Sequence, residues 1–417
     1  MPFMLAALRT LLVLAIVSLV TTHVAVADDF AQPVDSITLK KRGKVIEGRI
    51  VLVDDEKIVL RVKSKHKEYE REDVDSYIWA EEKHAELLPR LFKGLTGGSA
   101  SDMRTLAEEF TAGGLAGEAQ LAYWLALVKD STDEVSHKAL GHSKKGKRWR
   151  VRIDGKWIFW EHLSEKTAEW GSCWIFSSAH FDLRTNLALD EALHGLIQTE
   201  MVFRYFFDHY GSELGLLSPT RRAELHVHAD EKSHPGGSRI QSEFSSGDVR
   251  VTLDAHLGFR TGDMLLSLTE MFLYEASFEA GTRSALPAWV SLGLSRNFSA
   301  ALNLHTIGAT EIDWDPSRDN KLDRGLHLNA KKPRGLKSVL NMSVSDLYSK
   351  NGDLAFAQAG TLVDYCLRGK DGKWRAGFRN FVLGAQAGKG SATHFKKALG
   401  YKEKDFEAAW GRYVGRE

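Results

Sequence analysis

The chain has 417 residues, 43% hydrophobic and 27% charged, with 56 Lys and Arg against 55 Asp and Glu. These values describe a soluble globular protein long enough for two or three domains. The near balance of charge leaves no global attraction to nucleic acid or anionic lipid, so neither is expected as a partner.

Residues 1–27 read as a secretory signal peptide. Arg9 precedes the apolar run Leu11–Val20, and Ala25-Val26-Ala27 stands before Asp28 as a cleavage signature. The run is shorter than the roughly 20 residues a spanning helix needs. No later segment is long and apolar enough to cross a bilayer, so an exported, periplasmic or extracellular chain is expected. Cleavage removes Arg9 and leaves the mature chain formally neutral. Export makes a disulfide between Cys173 and Cys366 one option, with two buried thiols as the other.

Residues 28–80 form the first expected domain. Within 34–80, short β-branched runs are separated by Arg42-Gly43, Asp54-Asp55 and Ser64-Lys65, and Ile58, Leu60 and Val62 alternate with polar residues. Four or five strands in so short a stretch predict a small SH3-like or Sm-like barrel. It resembles the short β modules at the front of many exported bacterial proteins. Such a module either packs against its neighbour or binds a partner along an open edge. The basic cluster Lys40, Lys41, Arg42 and Lys44 is adequately explained as a solvated hairpin tip.

Residues 81–145 change to a helical period. Met103, Leu106, Ala107 and Phe110 make one stripe, Leu121, Trp124, Leu125 and Val128 another, and Gly113-Gly114 turns the chain between them. A helical hairpin acting as a spacer is expected. Residues 146–173 follow as a β-hairpin linker, in which Trp149, Val151 and Ile153 alternate before an Asp154-Gly155 turn. The mixture of basic residues and Trp here fits a strand pair better than a nucleic-acid surface.

The large domain is placed at 174–417. It opens with a strand around 174–183 and a long helix around 189–210, followed by the strand AELHVHAD, a second strand near 249–253 and two helices between Leu265 and Phe298. In the first of these helices Leu265, Leu268, Phe272 and Ala276 fall at helical spacing, and Gly281 supplies the stop. Pro287 opens the second, PAWVSLGLSRNF.

This helix pair resembles the gluzincin group of zinc peptidases (peptidase MA-like), in which H-E-x-x-H on one helix precedes a P-x-W-x-x-E-G-x-x-x-x-F stretch on the next. Pro287, Trp289, Gly293 and Phe298 match. The two His positions are Thr269 and Leu273, and Leu292 stands at the place of the third ligand, a Glu. Only Glu270, the position of the general base, survives. With the small β-barrel and helical spacer read above, the chain is expected to be α+β, and the resemblance implies that it ends in a gluzincin-like domain with a mixed sheet and a mainly helical C-terminal part.

Leucine offers zinc no donor and Thr269 is a poor one, so no zinc cofactor is expected at these positions, and Glu270 is left as a vestigial base. The leading expectation is an exported pseudopeptidase that binds a peptide or protein segment, with the chain not an enzyme. One alternative is a hydrolase with a displaced metal site built from His226, His228 and Asp230, with Asp254 and His256 nearby. Those three residues are also candidate cleft residues, on a strand that could pair with extended peptide. A further alternative assigns interaction to the N-terminal barrel.

Overall fold

The computed structural model describes residues 35–41, 43–230, 232–233, 241–244, 251–255, 262–282, 286–302, 312–318, 320–347 and 351–415. Residues 1–27, the cleavage site before Asp28, and His256 lie outside this set.

The chain is α+β, with an antiparallel sheet first and helices dominating the C-terminal part. β1 (Asp35–Leu39), β2 (Lys44–Val53), β3 (Lys57–Val62), β4 (Lys65–Glu70) and β5 (Val74–Ile78) form a sheet of order β4-β3-β2-β1-β5. The alternation seen in the sequence buries Ile37, Ile50, Ile58, Leu60 and Val74 together. A register shift between Ile50 and Leu52 turns Val51 and Leu52 toward Val59 and Leu217 on the other side.

No loose linker follows this sheet. α1 (Ala80–Thr96) starts two residues after β5, and the buried Asp35 carboxylate accepts the backbone N–H groups of Ala80 and Ile50, each at 2.8 Å. α1 then places Leu87, Leu88 and Leu91 in the main core. The stretch expected to be a spacer is therefore three packed helices and a short fourth: α1, α2 (Ala100–Ala112), α3 (Ala116–Lys129) and α4 (Glu134–Ala139). A capping box at Ser99 and Asp102 fixes the start of α2.

β6 (Ser143–Lys145), β7 (Arg148–Ile153) and β8 (Lys156–Phe159) make a small antiparallel sheet. Its β7–β8 turn puts both Asp154 and Gly155 at positive φ (48° and 73°), as a two-residue hairpin turn of this kind requires.

The central sheet has the order β12-β13-β11-β10-β9, from β9 (Trp174–Ser177), β10 (Phe181–Thr185), β11 (Ala223–Val227), β12 (Gln241–Phe244) and β13 (Val251–Ala255). β10, β11 and β13 are parallel, and both outer strands are antiparallel to their neighbours. Helix α5 (Leu189–Phe206) connects β10 to β11. The single strand expected at 174–183 is a hairpin, because Ser178 turns the chain by donating its backbone N–H to the Phe181 carbonyl at 2.8 Å.

Beyond β13 come α6 (Gly262–Glu279) and α7 (Ala288–Leu302), then α8 (Lys321–Leu328), α9 (Gly352–Gly372), α10 (Arg375–Gln386), α11 (Ala392–Leu399) and α12 (Glu403–Val414), short helical turns aside. α9 breaks at Gly369–Asp371, where Lys370 and Asp371 take positive φ. Cys173 and Cys366 are separate buried thiols. No helix among the described residues is long and apolar enough to cross a membrane.

Candidate functional site

Two places merit comparison as sites. The first is the α6–α7 pair. Thr269, Leu273 and Leu292 are 0–2% exposed and belong to the main core. The Thr269 hydroxyl is already committed to the Leu265 carbonyl one turn back, at 2.8 Å. Leu273 and Leu292 add apolar surface to the core that joins the two helices.

The residues that carry the resemblance each have a packing role. Trp289 is fully buried and stacks on Phe381 at 5.7 Å, with Phe395 edge-on at 5.2 Å. Phe298 meets Phe206 edge-on at 5.3 Å. Gly293 marks the closest approach of α7 to α9: a Cβ there would lie 2.6 Å from the Ala359 carbonyl oxygen and 2.3 Å from a Val363 methyl. No larger residue fits unless the helices separate. Glu270 is half-buried with no hydrogen-bond or ion-pair partner among the described residues, and burial pushes its carboxyl above the usual range.

The candidate cleft residues divide. β11 is the central strand, paired with β10 and β13, so its backbone cannot take a further strand. The reading of AELHVHAD as a strand that pairs with peptide is corrected on that ground. His228 is fully buried and stacked on Trp170 at 3.6 Å, with His226 edge-on to the same ring at 5.9 Å. Asp230 is exposed and accepts the Ser233 backbone N–H at 2.9 Å. The two histidines thus share an aromatic surface, whereas Asp230 caps a local turn. Asp254 pairs with His226 in the strand register.

The second place was not visible in the sequence. Glu81 and His84 on α1, Glu118 on α3, Glu200 on α5 and His180 on the β9–β10 turn converge inside the protein. All are buried except Glu81, whose side chain is 21% exposed. Their donor atoms form two triplets with metal-ligand spacing, Glu81–His84–His180 and His84–Glu118–Glu200. Gly117 permits the convergence. A Cβ there would lie 2.8 Å from the Ser177 carbonyl oxygen, so only glycine lets α3 approach the turn closely enough for Glu118 to accept the Ala179 N–H at 2.6 Å.

His180 places Nδ1 2.7 Å from Glu200 and Nε2 3.2 Å from Glu81, and stacks on Phe203 at 3.7 Å. Burial opposes its charge, but the carboxylates of Glu81 and Glu200 raise its pKa to about 9. Burial likewise works against ionised Glu81 and Glu200, yet His180 beside them keeps both carboxyls below their usual range. At His84 the carboxylates of Glu118 and Glu81 outweigh burial and raise the imidazole. The sequence signal for this site was E-x-x-H at 81–84 and an acid, Glu200, set in the apolar face of α5. Neither identifies its partners.

Compared with known protein families and with curated proteins, the chain matches none.

Proposed function

We propose that the chain is an exported, non-catalytic binding protein whose α6–α7 pair retains the layout of a gluzincin zinc site without its ligands. The observation that carries this reading is the burial of Thr269, Leu273 and Leu292 in continuous core, where two of the three have no donor atom and the third has spent its hydroxyl. Glu270 alone cannot activate water at neutral pH, since lowering that pKa is the work of a metal.

The ligand we assign is an extended peptide or protein segment added along β12. Among the described residues β12 pairs with β13 alone, and β13 leads into the helix that carries Glu270. An outer strand offers unpaired backbone groups, and pairing along it needs no metal.

The test is fluorescence-detected binding of a library of unstructured peptides, each also presented to zinc-loaded protein and followed for cleavage. Binding without cleavage is expected. N-methylation of alternate peptide nitrogens should abolish it by removing the donors that face the strand. Zinc-dependent cleavage that disappears in Glu270→Gln would overturn the proposal.

A further inference from the structure

The buried His and Glu cluster of α1, α3, α5 and the β9–β10 turn resembles a metal site more than a set of ion pairs. His84 is the reason. Its imidazole is 0% exposed, and neither ring nitrogen has an aligned hydrogen bond. Nε2 nevertheless lies 3.3 Å from Glu118 Oε1 and 3.8 Å from Glu200 Oε2. Two ligands bonded at about 2.0–2.1 Å to one tetrahedral zinc stand about 3.3–3.4 Å apart, which is the separation of the first pair. A buried imidazole with one nitrogen facing two carboxylates at these distances is placed as a ligand would be.

The surroundings fit as well. On the other side of the ring, Nδ1 faces Glu81 Oε1 at 3.4 Å, the arrangement in which a carboxylate orients a metal-bound histidine. Glu118 is held by the Ala179 N–H and Glu200 by the His180 N–H at 2.9 Å, so backbone donors aim both carboxylates.

We propose that His84, Glu118 and Glu200 bind one divalent first-row cation of the zinc type, which clamps α1 and α3 onto α5. The donor set, one imidazole and two carboxylates, suits such an ion. This site is separate from the α6–α7 pair, so its failure would leave the binding-protein reading intact.

The experiment uses the purified full chain, stripped with chelator and then titrated with Zn2+ and with Co2+. One equivalent is expected to bind, with Co2+ giving visible absorption bands and Zn2+ raising the Tm by several degrees. Glu118→Gln, which keeps an oxygen for Ala179 N–H, should weaken binding at least tenfold, and His84→Asn should abolish it. His162→Gln, at an exposed histidine, should change nothing. Should both cluster variants fail to fold, X-ray absorption on the zinc-loaded wild type decides, with one imidazole nitrogen and carboxylate oxygens expected at about 2.0–2.2 Å. Less than about a fifth of an equivalent in folded wild type, an all-oxygen or sulfur shell, or binding that survives both folded variants would overturn the proposal.

Discussion

The α6–α7 pair and the buried cluster beneath α1 are opposites in how sequence and chemistry relate. In the first, Pro287, Trp289, Gly293 and Phe298 have a spacing similar to that of zinc peptidases, yet Leu273 and Leu292 at the positions compared with metal ligands are packed in the core. In the second there is no recognisable spacing beyond E-x-x-H, yet two imidazoles and three carboxylates meet, all of them buried but Glu81. The difference teaches that a motif's frame is held by packing. Gly293 is required by the closeness of α9 and Trp289 by the rings around it, so packing alone holds these positions whether or not a ligand is bound. A cluster drawn from four segments leaves no frame to read.

The comparison is broken most forcefully by paired truncating and conservative changes at the two places. Glu200→Ala strands the His180 charge and should cost about 3–5 kcal/mol in urea denaturation. Glu200→Gln should also be destabilising, because His180 Nδ1 needs the charge. Leu292→Ala should cost about 2–5 kcal/mol, but Leu292→Met, which conserves volume, less than about 1.5 kcal/mol. Equal tolerance of conservative change at both places would erase the distinction.

A smaller effect sharpens how the N-terminal sheet is tied to α6. Glu279 at the end of that helix accepts from Arg61 at 3.1 Å, His66 at 2.9 Å, and the Thr220 backbone N–H and hydroxyl at 3.1 and 2.8 Å. Glu279→Gln should cost about 1–2 kcal/mol, discounted for the solvent around Arg61. Limited proteolysis should then cut the β3–β4 region sooner than in the wild type.

The smallest effect concerns pH. His137 and His142 share a hydrogen bond of 2.8 Å between their Nδ1 atoms, with Trp149 stacked on His137 at 4.3 Å. Burial, helped by His137, pushes His142 down to about 3. The unfolded chain takes up that proton near pH 6.5, so the stability this group contributes is complete above 6.5 and is lost as pH falls from there toward 3. Denaturation between pH 7 and 4 should show a shallower decline in His142→Gln than in the wild type.

Much of the fold was legible. The strands of 35–78 follow from alternation and turns, the α2–α3 hairpin from its two stripes and Gly113-Gly114, and α6 and α7 from spacing and caps. The hairpin at 174–185 was not, because Ser178-Ala179-His180 turns without Gly or Pro, and that same turn carries His180 into the cluster. The central place of β11 was equally hidden, since strand order is set by crossovers and leaves little mark on local pattern.

The central claim is that α6 and α7 still hold the geometry of a zinc site, and substitution tests it directly. Thr269→His, Leu273→His and Leu292→Glu together should create three converging ligands. The cluster variant His84→Asn, where it folds, provides the background free of the other proposed site. In that background the account predicts zinc-dependent stabilisation of the triple variant, about 2.7 kcal/mol at a hundredfold excess over Kd and seen as a rise in Tm, and none for the double variant that keeps Leu292. The same comparison in the wild-type background, read as a second equivalent of zinc, serves if His84→Asn does not fold. A folded triple variant with no added zinc-linked stabilisation would contradict the claim.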